Sequence, residues 1–136
     1  MKKTLSMLLI LTLLSACIFS YALAETRASD YFTSYGTTMS AIGNGRIAIT
    51  FKAVGTGLCN QIGVASYHVE KRTDEGWIGI SGLLSGQTGT NVASYTFGRY
   101  FQGIAGETYR IQVIFCCSIG TGMEHKVYTS GSITAR

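Results

Sequence analysis

The side chains able to do covalent chemistry are few. The chain has four cysteines, Cys17, Cys59, Cys116 and Cys117, and two histidines, His68 and His125. A thiol nucleophile needs a base within hydrogen-bond reach. The chain order offers one such pairing, Cys116 or Cys117 with His125, because all three fall near one loop. A thiol-dependent or hydrolytic enzyme is therefore one reading of the chain. No serine occupies a Gly-x-Ser-x-Gly elbow. The acids Glu25, Asp30, Glu70, Asp74, Glu75, Glu107 and Glu124 are scattered as on a solvated surface, not paired as glycoside chemistry requires. Cys59, Cys116, Cys117 and His125 are of zinc-binding type but lack the usual Cys-x₂₋₄-Cys spacing. Adjacent cysteines do not easily place both sulfurs on one tetrahedron. Gly55-Thr56-Gly57 leads into no helix, so it makes no phosphate cradle. No metal, cofactor or catalytic set is expected.

Binding chemistry has more to draw on. Eight tyrosines, six phenylalanines and one tryptophan are spread over the chain. Small β-domains present such rings to glycans or to cell-surface proteins. Trp77, Tyr95, Tyr100 and Tyr128 are the candidate binding aromatics, with core packing as the competing role for each. The net charge of +4 includes Lys2 and Lys3 of the leader. What remains is too weak and too evenly spread for nucleic acid.

These groups are to be positioned outside the cytoplasm. Lys2 and Lys3 precede an apolar run from Leu5 to Phe19, and Ala22-Leu23-Ala24 supplies a small-x-small exit. That is a secretory signal over residues 1–24, too short for a comfortable membrane span. Residues 25–136 then form a single secreted domain with no further membrane-length stretch. Leu14-Ser15-Ala16-Cys17 has the form of a lipobox. Lipidation of Cys17, anchoring the domain at the cell surface, is the alternative to release.

The elements read as strands. Ile47, Ile49, Phe51 and Ala53 alternate with Arg46, Ala48, Thr50 and Lys52. Tyr109, Ile111, Val113, Phe115 and Cys117 alternate with Thr108, Arg110, Gln112, Ile114 and Cys116. Period two is the mark of a half-buried strand. Weaker strands are expected over 30–40, 62–72, 77–84, 92–101 and 126–134, separated by glycine-bearing turns. The expected fold is all-β: a seven-stranded antiparallel β-sandwich of immunoglobulin or fibronectin type III kind, with a small eight-stranded barrel as alternative. Tyr109, at the start of strand six, is placed to bond its hydroxyl back to the preceding corner.

An exported domain can keep a disulfide. Adjacent cysteines seldom bridge each other, which leaves Cys59 with Cys116 or Cys117. In the sandwich, strands two and six run toward the same end, and Cys117 shares the inward phase of Ile111, Val113 and Phe115. Cys59 and Cys117 are thus the disulfide candidate, and one thiol is left over.

Thr26-Arg27-Ala28-Ser29-Asp30-Tyr31, Gly45-Arg46-Ile47-Ala48-Ile49-Thr50-Phe51 and Gly55-Thr56-Gly57, with Ile62-Gly63-Val64 and Gly106-Glu107-Thr108-Tyr109, carry a resemblance. The chain resembles a family of small secreted proteins of Firmicutes-type Gram-positive bacteria, a domain of unknown function. The resemblance implies export and the sandwich, and implies no activity, cofactor or site residue. The expected function is a non-enzymatic secreted binding or surface-interaction module. The alternatives are the thiol enzyme above and a secreted toxin-like effector.

Overall fold

The computed structural model describes residues 29–136. The expected signal over 1–24, its expected exit at Ala24 and the lipidation candidate Cys17 lie outside the described residues.

Every regular element among the described residues is a strand: β1 (Phe32–Gly43), β2 (Arg46–Thr73), β3 (Gly76–Gly79), β4 (Leu84–Ser85), β5 (Thr88–Gln102), β6 (Thr108–Ile119), β7 (Gly122–Thr129) and β8 (Ile133–Thr134). The first half of β2 pairs with β1 along one edge and β5 along the other. Its second half pairs with β6 on one edge and with β3 and β4 on the other. Beyond β6 lies β7, and β8 pairs with the start of β6. All pairings are antiparallel. The result is one curled, open sheet, with β1 and β7 at the ends of the main strand order.

Three features differ from the strands expected. Residues 46–54 and 62–72 are one continuous strand of 28 residues, not two joined by a turn at Gly55-Thr56-Gly57. The chain changes direction by irregular register instead of a loop. Pairing with β5 slips between Val54 and Cys59, and pairing with β6 slips between Val64 and Ser66. Such bulges bend a strand and increase its twist without ending it. The expected strands over 77–84 and 126–134 each divide in two, so the described residues form eight strands. Among the described residues β1 pairs with β2 and β7 with β6, so the sheet is open and curled, a half-barrel.

The core follows the period-two reading. Ile47, Ile49, Phe51 and Ala53 are buried, as are Tyr109, Ile111, Val113, Phe115 and Cys117. Phe51 joins the two halves of the curl. Its ring stacks on Phe97 at 4.7 Å and meets Tyr67 at 4.9 Å. Burying each such side chain contributes about 1.5–3 kcal/mol. The β1–β2 hairpin turns through Gly43, Asn44 and Gly45, all at positive φ. At the β5–β6 corner the Tyr109 hydroxyl accepts a hydrogen bond from the Ile104 backbone N–H at 2.8 Å. Gly103 is required there, since a Cβ would lie 2.7 Å from the Tyr109 ring.

Candidate functional site

Alternation along β6 sends Arg110, Gln112, Ile114 and Cys116 to the outer face. The register carries that face across three strands. Glu70 lies opposite Arg110, and His68 opposite Gln112, on β2. Thr129, Val127 and His125 on β7 lie opposite Gln112, Ile114 and Cys116. Directly opposed residues share a face of the sheet. The outer surface is therefore one strip, polar at one end and apolar through its middle.

The polar end is fixed by a chain of contacts. The Arg110 guanidinium lies 4.4 Å from the centre of the Trp77 ring. Arg110 Nε donates to Glu70 Oε2 at 2.5 Å, and Glu70 Oε1 is 3.6 Å from His68 Nε2. Toward the middle, Leu83 is 72% exposed and Val127 71%, flanking the half-buried Ile114. Leu83, Ile114 and Val127 border a cavity of about 240 Å³ together with His68 and Gln112. Next to it, Gln61, Gln87, Thr88, Cys116, Met123 and His125 border a shallow one of about 290 Å³. An apolar patch rimmed by polar groups is the usual form of a contact surface.

Cys116 and His125 stand directly opposite each other on this face. Their side chains are neighbours, as the thiol-enzyme reading requires. The environment runs against it. Cys116 is buried, and burial pushes its thiol above the ordinary value, away from the reactive thiolate.

Cys59 and Cys117 point the other way, into the core. Their sulfurs lie 3.1 Å apart, and both side chains are fully buried. Cys59 Sγ also faces the Gly57 carbonyl at 3.3 Å. No bridge is seen between them: the sulfurs are near but not bonded. Burial, and then the hydrogen bond to Cys59, pushes the Cys117 thiol up to about 12. The sheet thus divides Cys116 and His125 on one face from Cys59 and Cys117 on the other. No three histidine, cysteine or carboxylate side chains gather to hold a metal ion among the described residues.

The four aromatics do not form one patch. Trp77 is half-buried under Arg110. Tyr95 packs against Phe97 at 5.9 Å, and Tyr128 joins Phe115 and Tyr35 at 6.0 and 6.3 Å. Tyr100 alone is widely exposed, at 69%, with Arg46 over its ring on the opposite side of the curl. The surface that does gather exposed apolar groups is aliphatic: Leu83, Val127 and Met123, around half-buried Ile114. Its one signal in the sequence is that β6's outward positions turn from Arg110 and Gln112 to Ile114 and Cys116.

At one end of β7, Glu124 ties down the entering chain. Burial pushes its carboxyl up, but hydrogen bonds from Lys126, Ser29 and the Tyr31 N–H outweigh that and hold it below the ordinary value. Ser29 Oγ donates to Glu124 Oε2 at 2.5 Å, and Lys126 Nζ lies 2.6 Å from Oε1.

No helix among the described residues is long and apolar enough to cross a membrane. No family model matches the chain, and no curated protein matches it. Among solved structures, the crystal structure of a protein from Archaeoglobus fulgidus is similar at 14% sequence identity. The match covers 77% of this chain and 98% of that one, with a TM-score of 0.40.

Proposed function

We propose that the chain is an exported, non-enzymatic binding module that docks a protein partner on the outer face of β2, β6 and β7. The observation that carries this is the aliphatic strip of exposed Leu83, Val127 and Met123 around half-buried Ile114, beside the Arg110–Glu70–His68 rim. Glycan recognition draws on flat, exposed rings, whereas here the rings are capped or packed inward. An aliphatic strip with a polar rim suits a protein surface better. Its architecture is that of an immunoglobulin or fibronectin type III-like sandwich, released after Ala24 or anchored through Cys17. Supporting this type are the β1–β2–β5 and β3–β2–β6–β7 neighbourships and the Tyr109–Ile104 corner bond.

In an oxidising compartment Cys59 and Cys117 form a bridge. Each thiol gives up its proton and one electron, and a small-molecule or protein disulfide is reduced to two thiols in exchange. The thiol-enzyme reading has the Cys116–His125 opposition in its favour and the buried, protonated thiol against it.

The test is binding of the purified exported protein to the surface of its producing cells. Val127→Glu and Leu83→Glu, both at exposed positions, should each weaken binding tenfold or more with an unchanged melting temperature. Unchanged binding by both variants overturns the assignment. Hydrolytic or thiol-transfer turnover lost in Cys116→Ser would favour the enzyme.

A further inference from the structure

The outer-face row at Cys116 has a gap beside it. Thr88 on β5 lies opposite Gly63 on β2, Gly63 opposite Cys116 on β6, and Cys116 opposite His125 on β7. In the adjoining row Gln61 lies opposite Ser118, and Ser118 opposite Met123. Gly63 brings no side chain, and a Cβ there would clash with the Gln87 carbonyl oxygen. That carbonyl accepts a hydrogen bond from the Val64 N–H at 2.9 Å, which holds residues 86–87 as a wall. Between this wall and β7 lies the cavity of about 290 Å³ described above.

Three metal-binding donors border this cavity: the Cys116 thiol, the Met123 thioether and the His125 imidazole. Cys116 is 6% exposed, whereas Met123 is 56% exposed and His125 lies at the surface. No carboxylate among the described residues borders it. Glu124, between the two β7 donors in sequence, alternates to the other face and is held there by Ser29 and Lys126. Zinc sites are built from cysteine, histidine and carboxylate, so spacing rules for zinc pass over the methionine.

We propose that Cys116, Met123 and His125 hold one Cu(I) ion on this face. Thiolate and thioether donors select a soft ion of this kind. Zinc takes four ligands from a set that excludes thioethers, and only two of that set border the cavity. Directly opposed residues have Cβ atoms about 5 Å apart, which brings Cys116 and His125 to one ion. Met123 is diagonal to Cys116, at about 7–8 Å, within reach of a long, flexible side chain. Burial fixes the thiol, and the two exposed donors turn toward it. On binding, the Cys116 S–H bond breaks, a Cu–S bond forms and the proton leaves to solvent. Copper stays Cu(I), and nothing is oxidised or reduced. A protonated thiol is a poor nucleophile but no obstacle here, because the ion takes the proton's place. The inference goes beyond the docking reading and does not rest on it.

The test is anaerobic titration of the full chain with Cu(I) supplied by ferrozine, a coloured chelator, in a Cys17→Ser background. Expected is withdrawal of one copper per chain, with one proton released per copper. X-ray absorption at the copper edge should show both sulfur and nitrogen neighbours. Cys116→Ser should weaken binding a hundredfold or more. Met123→Leu and His125→Ala, at exposed positions that leave folding intact, should each weaken it tenfold or more. Full affinity in Cys116→Ser would place copper at Cys59 and Cys117 and overturn the proposal. So would no withdrawal from ferrozine, unchanged affinity in both exposed variants, or equally tight binding of Zn(II). Docking is read by cell binding and copper by chelator competition, so the two readings fail separately.

Discussion

The oxidation state of Cys59 and Cys117 is the most consequential chemical variable in the domain. The two are 58 residues apart and their sulfurs almost touch. Joining them closes a loop whose entropy in the unfolded chain is worth about 4 kcal/mol at 25 °C. The native state has little to rearrange, so most of that should be realised. In a domain of this size each kcal/mol moves the melting temperature by about 4–8 °C, so oxidation should raise it by roughly 15–30 °C. The assay is thermal unfolding with and without reductant, alongside thiol titration of the unreduced, unfolded protein over residues 25–136. One reactive thiol of the three is expected, that of Cys116, and Cys116→Ser should leave none. Alkaline pH provides a second readout. In the reduced protein the Cys117 thiol titrates at about 12 instead of 9.0, so the folded state holds its proton more tightly. That stabilisation is complete below about pH 9 and is lost as pH rises through 12. The oxidised protein has no such alkaline limb. Three reactive thiols, or equal melting temperatures with and without reductant, would refute the reasoning.

Three further outcomes follow from single contacts. Tyr109→Phe removes the acceptor of the Ile104 N–H and should cost about 1–3 kcal/mol in urea unfolding, with an unchanged slope. Thr37→Val removes the orphaned buried hydroxyl at nearly constant volume and should stabilise the free domain by about 1 kcal/mol; a loss of stability would mean the hydroxyl has a partner. The Glu124 carboxyl is held below its ordinary 4.5, so its contribution is full above that pH and is lost as pH falls through the lower folded value. Glu124→Gln should flatten this acid limb by less than about 1 kcal/mol, read from melting temperatures between pH 6 and 3.

Much of the fold was legible because period-two alternation depends only on local residue type. Ile47 to Ala53 and Tyr109 to Cys117 declare their buried faces without help from the rest of the chain. The unbroken β2 was not legible. Gly55-Thr56-Gly57 has the composition of a turn, and only pairing with β5 and β6 shows that the backbone bends through bulges there. The division of Cys116 from Cys117 followed from phase along β6. The candidate surface was hidden for the opposite reason. Leu83 reaches it from beside the two-residue β4 and Val127 from β7, and nothing in either segment marks its face as outward. Aromatic content pointed instead to Trp77, Tyr95, Tyr100 and Tyr128, which the register distributes over both faces and the core. Ring chemistry could be read from the sequence, but cross-strand neighbours could not.

The proposed docking surface is most directly tested by site-specific photo-crosslinking on the producing cells. A photoreactive residue at Val127 is compared with one at Tyr100, equally exposed on the far side of the curl. The expected result is a discrete protein adduct from position 127 that is absent from position 100 and lost when Leu83→Glu is added. Equal adducts from both positions, or none from 127 under conditions where the protein binds, would contradict it.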